Sequence, residues 1–284
     1  MSASDNEAVA GRAATTSSWQ QHGDRDTMPN SVSASLDVNP YVGEGGAYDS
    51  VRPAYPHEAV AALINAARSG RGVNAPGRDG PLRAADIGAG TGKMSELLAR
   101  GGLLVDAVEP SEAMRAQASP IEGITWHDGV AEETGLPNDV YDIVVFAQSW
   151  HWMDPERAGL EAARILAPGG VLAIVWNQMA VSIPWVHRLT RIMRSGDVHR
   201  PDRPPTPGGG FAPMTLTQVA WEDRMTPEEI LTLGTTRSSY IRSSEAGRAR
   251  MQENLRWYLY EHLGYAPGEL VTIPYATLVW ISHL

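Results

Sequence analysis

The pattern of apolar and polar residues through the middle of the chain predicts strands and helices that follow one another in turn. Short apolar runs that end in a glycine or an acid have the length of buried strands, and amphipathic runs follow them. Strands are predicted at Leu82–Ile87, Leu103–Glu109, Ile124–His127, Tyr141–Phe146 and Val171–Trp176. Helices are predicted at Lys93–Arg100, at Ser111–Gln117 and from Asp154 to Pro168-Gly169-Gly170. This rhythm predicts a parallel, doubly wound α/β sheet.

Different patterns flank this central region. Residues 1–40 are polar and are predicted to be a disordered leader, whereas residues 41–284 are predicted to form one domain. Residues 178–265 are expected to contribute a helical lid and elements of a substrate pocket. The predicted outer elements are a helix at Glu58–Arg68, a helix at Trp185–Met193, a loop at 200–214, a strand at Leu216–Trp221, a helix that starts at Thr226, a helix at Glu245–His262 and a strand within Leu270–Ile281.

Composition narrows the possible partners. The chain has 284 residues and a formal net charge of −10, which disfavours nucleic acids and anionic membranes. It has no cysteine, so disulfides, thiolate catalysis and cysteine-ligated zinc are excluded, and no metal is predicted. No apolar run has the length of a membrane span. We therefore predict a cytoplasmic protein that binds a small molecule, with its oligomeric state left open.

A glycine-rich turn follows the first predicted strand, at Asp86–Gly92. A phosphate-binding loop would need glycine in place of Ile87 and serine or threonine in place of Met94. A dinucleotide fingerprint would need its third glycine where Lys93 stands. A carboxylate at the strand end suits the cationic methionyl part of S-adenosylmethionine and would repel a pyrophosphate. An ordinary strand-to-helix turn is the alternative.

A second acid, Glu109, ends the second predicted strand, 23 residues after Asp86. A carboxylate there can accept hydrogen bonds from both ribose hydroxyls of a nucleoside, in NAD and in S-adenosylmethionine alike. The alternative is an acid that merely starts the helix after Pro110. The loop at Gly129-Val130-Ala131-Glu132 follows the third strand, where a backbone N–H can read an adenine edge.

Several motifs together resemble one known family. They are Tyr48-Asp49-Ser50-Val51-Arg52-Pro53-Ala54-Tyr55-Pro56, Asp86–Gly92, Gly129–Glu132 with Leu136-Pro137, Gln148-Ser149-Trp150-His151-Trp152 with Ala167–Gly170, and, near the C-terminus, Thr236–Tyr240 and Pro274–Thr277. Residues 41–281 resemble small-molecule class I methyltransferases of the type 11 group, and within it the trans-aconitate-methyltransferase-like branch.

The resemblance implies a seven-stranded sheet with an antiparallel last strand. It also implies methyl transfer from S-adenosylmethionine to an oxygen, nitrogen or carbon atom of a small acceptor, in bacterial primary or secondary metabolism. The family often has an acid where Val130 stands. The residues expected to bind the cofactor are Tyr48, Arg52, Asp86, Gly88, Ala89, Gly90, Glu109, Pro110, Met114, Ala131, Glu132 and Gln148.

Methyl transfer from a sulfonium has a neutral leaving group and needs no acid, so catalysis is mainly positioning and exclusion of water. His151 is the candidate base for an acceptor that must lose a proton, and its alternative role is packing or orienting the turn. Candidate substrate-pocket residues are Trp150, Trp152, Trp185, Arg237 and Tyr240. Two other functions stay open: an NAD-dependent oxidoreductase, and a non-methylating protein that binds adenosylmethionine on the same fold.

Overall fold

The computed structural model describes residues 51–71, 80–194 and 199–284. The predicted leader at residues 1–40 and the predicted site residue Tyr48 lie outside the described residues. Within the described helices, none is long and apolar enough to cross a membrane.

The strands of the described ranges form one seven-stranded sheet in the order β3-β2-β1-β4-β5-β7-β6. Their bounds are β1 Arg83–Ile87, β2 Leu104–Val108, β3 Ile124–His127, β4 Tyr141–Ala147, β5 Leu166–Met179, β6 Thr215–Met225 and β7 Val271–His283. The first five strands pair in parallel, and β7 is antiparallel to both β5 and β6. The predicted doubly wound, mostly parallel sheet with an antiparallel last strand is confirmed.

The α-helices pack on this sheet or beyond its end. They are α1 His57–Arg71, α2 Lys93–Arg100, α3 Glu112–Arg115, α4 Pro155–Ile165, α5 Pro184–Ile192, α6 Pro227–Thr235, α7 Ser238–Ile241 and α8 Glu245–Arg256. The start of α4 is fixed by its sequence, because the Asp154 side chain accepts hydrogen bonds from the N–H groups of Glu156 and Arg157, and Pro155 opens the helix.

Several predicted boundaries differ from the structure; strand β5, for example, runs from Leu166 to Met179 and not over Val171–Trp176. Helix α4 ends at Ile165 and not at Pro168-Gly169-Gly170, because Leu166 already pairs with Tyr141 of β4. Strand β6 runs on to Met225, since its pairing with β7 continues that far. The predicted helix Glu245–His262 has its predicted bounds but changes from α to π geometry at Trp257–His262, where the Trp257 ring stacks on the His262 ring.

The alternation of side chains along the sheet builds two separate cores. On one face, Val171, Ala173 and Val175 of β5 pack in a cluster with residues of α1 and α2. On the other face, Leu172 and Ile174 pack in a cluster with α4. A third cluster joins α5, α6 and α8 to the ends of β6 and β7. Strand β1 pairs with β2 on one side and β4 on the other, so the chain reverses its direction of winding there. In such sheets, ligands bind at the carboxyl ends beside this switch point.

Candidate functional site

The turn between β1 and α2 is tied to the neighbouring strand. The N–H groups of Gly88 and Ala89 donate hydrogen bonds to the Val108 carbonyl at 2.8 and 3.1 Å. Gly88 has a φ of 69°, and a Cβ there would lie 2.7 Å from the Cβ of Ser149. A glycine is therefore required at this position for both conformation and space.

Asp86 lies at the end of β1 and is fully buried. The Ser95 hydroxyl donates a hydrogen bond to its Oδ2 at 2.6 Å, whereas Oδ1 has no hydrogen-bond partner. Burial raises the pKa of Asp86 to about 7, although the hydrogen bonds with Ser95 act in the opposite direction. Glu109 also raises this pKa through its charge, so the two acids lie close enough to interact. A cation or donor that reached Oδ1 would favour the ionised carboxylate.

Glu109 follows β2, and its buried carboxylate is held by two backbone groups. Its Oε2 accepts a hydrogen bond from Gly90 N–H at 3.0 Å, and its Oε1 accepts one from Ser111 N–H at 2.9 Å. An ionised carboxylate has about four acceptor positions, so two remain for a ligand. The predicted neighbours of this acid differ in exposure: Pro110 is exposed, and Met114 is buried with its Cε 4.0 Å from a Cβ built on Gly90.

The loop after β3 contributes packing and one helix contact. Ala131 is buried in the same core cluster as Val108, and Val130 is 46% exposed. Glu132 Oε1 accepts a hydrogen bond from Asp154 N–H at 2.8 Å, so it fastens this loop to the start of α4. An adenine contact by Ala131 or Glu132 stays a prediction.

Gln148 and Asn177 join the ends of β4 and β5. The Gln148 side chain donates a hydrogen bond to the Asn177 carbonyl at 2.5 Å, and its backbone has a φ of 58°, which is strained for a residue other than glycine. The Asn177 amide donates to the Ala54 carbonyl at 2.9 Å, and its Oδ1 accepts from Thr277 and Trp221. The segment before α1 is thereby attached to the carboxyl edge of the sheet.

The charges of two predicted arginines act on the hydroxyl of Tyr275. Burial raises the pKa of Tyr275 to about 12, and the charges of Arg237 and Arg52 partly oppose this rise. Arg52 also donates a hydrogen bond to the Thr236 carbonyl at 2.7 Å, linking the segment before α1 to the C-terminal helices. Like any phenol near neutral pH, the Tyr275 hydroxyl is protonated and can donate a hydrogen bond.

His151 lies in the 3₁₀ turn Trp150–Trp152 after β4 and is exposed. Its ring centroid is 5.0 Å from that of Trp152 and 6.2 Å from that of His199. The His199 ring stacks on Trp176 at 3.9 Å with an angle of 9° between the planes. The structure thus brings a second histidine beside the candidate base.

The remaining pocket candidates are in packing contacts. Trp150 is buried and meets Phe146 edge-on, with ring centroids 4.9 Å apart. The Trp185 carbonyl accepts a hydrogen bond from the Tyr258 hydroxyl at 2.9 Å. The Arg248 guanidinium lies 5.5 Å from the centroid of the Tyr240 ring. These contacts do not join Trp150, Trp185 and Tyr240 to the groups at the switch point.

Comparison with known proteins decides the family. A family profile described as "Methyltransferase domain" matches residues 85–174. An uncharacterized methyltransferase of Mycobacterium tuberculosis is 36% identical over 238 residues, which cover 82% of this chain and 90% of that relative. The chain belongs to the class I methyltransferase family. An uncharacterized methyltransferase-like protein of Schizosaccharomyces pombe is 26% identical over 60% of this methyltransferase and 70% of its own length.

Solved structures agree on the fold of this methyltransferase. A structure described as a type II methyltransferase from Anaeromyxobacter dehalogenans superposes with a TM-score of 0.61 at 23% identity, covering 82% of this chain and 97% of that chain. At this identity the likeness concerns the fold alone.

Sequence reasoning did not identify several residues that support the site of this methyltransferase. Ser95, in the first turn of α2, donates a hydrogen bond to Asp86, and Asn177 joins four chain segments through hydrogen bonds. The charges of Arg237 and Arg52 act on Tyr275, and the His199 ring lies beside the His151 ring. Asn177 had a usable signal, because it is a polar residue directly after a buried strand at the ligand edge. His199 had none, since it precedes a Pro/Gly-rich loop without periodicity.

Proposed function

We propose that this methyltransferase transfers a methyl group from S-adenosylmethionine to a small-molecule acceptor. The observation that carries the proposal is the pair of acids Asp86 and Glu109 around the glycine turn, with Glu109 hydrogen-bonded to Gly90 N–H. The ribose hydroxyls of a nucleoside need a hydrogen-bond acceptor, and the methionyl ammonium group needs a carboxylate near it. This edge of the sheet offers both.

The residues fit that cofactor at three points. Asp86 Oδ1 is a buried oxygen without a partner, and a cationic group nearby would lower the cost of its ionisation. Glu109 keeps acceptor capacity for ribose hydroxyls. Gly88 presents only its backbone at the turn, since a Cβ there would lie 2.7 Å from the Cβ of Ser149. When bound, S-adenosylmethionine supplies an electrophilic methyl group on a sulfonium.

The chain's own residues then have positioning tasks. The turn at Gly88–Gly90 and the acid Glu109 hold the nucleoside in one fixed position, which lowers the entropic cost of reaching the transition state. The segment around Arg52, fastened to Asn177 and Thr236, covers the edge of the sheet and excludes water. For an acceptor that must lose a proton, His151 is the proposed base.

The acceptor is proposed to bind between the end of β4 and the C-terminal helices. Gln148 donates a hydrogen bond to the Asn177 carbonyl, and Arg52 donates one to the Thr236 carbonyl. The half-exposed Trp152 ring lies 5.7 Å from the Arg242 guanidinium. The trans-aconitate-methyltransferase-like branch, the bacterial metabolic role and the cytoplasmic location remain predictions from the sequence.

A labelled-methyl assay tests this function. Purified protein is incubated with methyl-labelled S-adenosylmethionine and a panel of small-molecule metabolites, with the Glu109→Ala variant as the control. We expect label in at least one product with the wild type and much less with the variant. Reduction of NAD by a member of the panel, with no labelled product, would instead establish the oxidoreductase. Tight adenosylmethionine binding without any labelled product would favour the non-methylating alternative.

A further inference from the structure

A basic cavity that opens to solvent is lined by residues of α5 and α8. It has a volume of about 560 Å³ and is lined by His187 and Arg188 of α5, by Arg191 of the same helix, by Arg194 just beyond it and by Asn254 of α8. None of these residues belongs to the glycine turn or to the groups around Asn177. A cavity of this volume has the size of small-molecule binding sites.

The charges in this cavity are unbalanced. Arg188, Arg191 and Arg194 follow one another at three-residue spacing, so they share one side of the chain, where like charges repel. In residues 51–71, 80–194 and 199–284, no carboxylate forms an ion pair with any of the three. This local excess of positive charge contrasts with the net charge of −10. A bound polyanion would relieve the repulsion.

Aromatic contacts hold one of these cations in place. The Arg188 guanidinium lies 5.5 Å from the ring centroid of Trp257 and 5.3 Å from that of Tyr258, so two aromatic faces fix its position. Arg194 follows the end of α5 with a φ of 48°, the left-handed conformation in which helices commonly end.

We propose that this cavity binds a small molecule bearing a diphosphate, at a site separate from the cofactor turn. Guanidinium groups pair with phosphate oxygens through two parallel hydrogen bonds. Three arginines match the charge of a diphosphate, whereas a single carboxylate would neutralise only one of them. The proposed cofactor site would not take the same ligand, because Asp86 and Glu109 repel a diphosphate.

Calorimetric titration with inorganic pyrophosphate tests this site at fixed ionic strength. The test variant is the double substitution Arg191→Gln with Arg194→Gln. The matched control is Arg68→Gln with Arg157→Gln, which removes two exposed arginine charges from α1 and α4. Circular dichroism and thermal unfolding establish that both variants fold. Inorganic phosphate serves as the probe of lower charge.

We expect the wild type and the control to bind pyrophosphate alike, and more tightly than phosphate. The test variant should bind it about tenfold or more weakly. No binding by the folded wild type at millimolar pyrophosphate would overturn the proposal. Equal weakening in the control and the test variant would also overturn it, since the effect would then come from net charge. Neither outcome depends on methyl transfer.

Discussion

The carboxylate of Glu109 accepts a hydrogen bond from the N–H of Gly90 at 3.0 Å, which joins the end of β2 to the turn after β1. Parallel pairing of Ile87 with Val108 places these two chain segments side by side at the carboxyl edge of the sheet. The same carboxylate accepts the N–H of Ser111, so it cannot swing away from the turn without losing two hydrogen bonds. The proposed nucleoside site rests on this fixed acid.

Replacing Glu109 tests its role as an acceptor. Glu109→Ala should weaken binding of S-adenosylhomocysteine by roughly 10- to 100-fold, the loss expected for hydrogen bonds to a charged group. Isothermal titration calorimetry measures the change. The control is Glu112→Ala, which removes an exposed acid from the first turn of α3. Equal affinity in wild type and Glu109→Ala would remove the ribose assignment.

Two glycines with similar backbones separate close packing from conformational strain. Gly88 and Gly102 have φ values of 69° and 87°, but only at Gly88 would a Cβ meet another group within 4 Å. Gly88→Ala should lower both the melting temperature and the affinity for S-adenosylhomocysteine, because the new methyl group overlaps Ser149. Gly102→Ala should cost only backbone strain, about 1 kcal/mol. Similar loss of cofactor affinity in both variants would argue against close packing at the turn.

Burial of Asp86 predicts a stability that depends on pH. Its pKa is raised from 3.8 to about 7, so the folded protein holds a proton that the unfolded chain releases between these values. The contribution of this group to stability therefore falls as the pH rises from about 4 to 7, by on the order of 4 kcal/mol in total. Asp86→Asn removes this titration.

Urea unfolding at pH 5 and pH 8 measures that effect. Asp86→Asn should gain stability relative to wild type between pH 5 and pH 8, because the wild type carries a buried charge at the higher pH. It should also bind S-adenosylmethionine more weakly. The exposed Asp139→Asn variant should show neither change. A constant difference between Asp86→Asn and wild type at both values would refute the raised pKa.

His151 is tested by separating turnover from binding. If it is the base, His151→Ala should lower kcat by about 100-fold or more while leaving cofactor affinity unchanged. His199→Ala serves as the comparison, because His199 stacks on Trp176 beside His151 and lies on another segment. Equal losses of kcat and of cofactor affinity in His151→Ala would assign it a packing role.

The parallel part of the sheet was predictable because β1 to β4 are short runs of 4 to 7 residues separated by clear turn signals. Asp86 and Glu109 were predictable as a pair, since parallel strands bring their carboxyl ends to one edge. The contacts of Ser95, Asn177 and Tyr275 were not predictable, because each depends on packing between distant segments. The border between α4 and β5 was misplaced for the same reason: Leu166 pairs with Tyr141 ahead of the Pro168-Gly169-Gly170 signal.

The most direct measurement is calorimetric titration of the purified protein with S-adenosylhomocysteine and, separately, with NAD. Binding of S-adenosylhomocysteine with one site per chain, and no heat from NAD, is the predicted result. Binding of NAD, together with no heat on titration with millimolar S-adenosylhomocysteine, would contradict the account. Asp86, Glu109 and the glycine turn would then not form a site for S-adenosylmethionine.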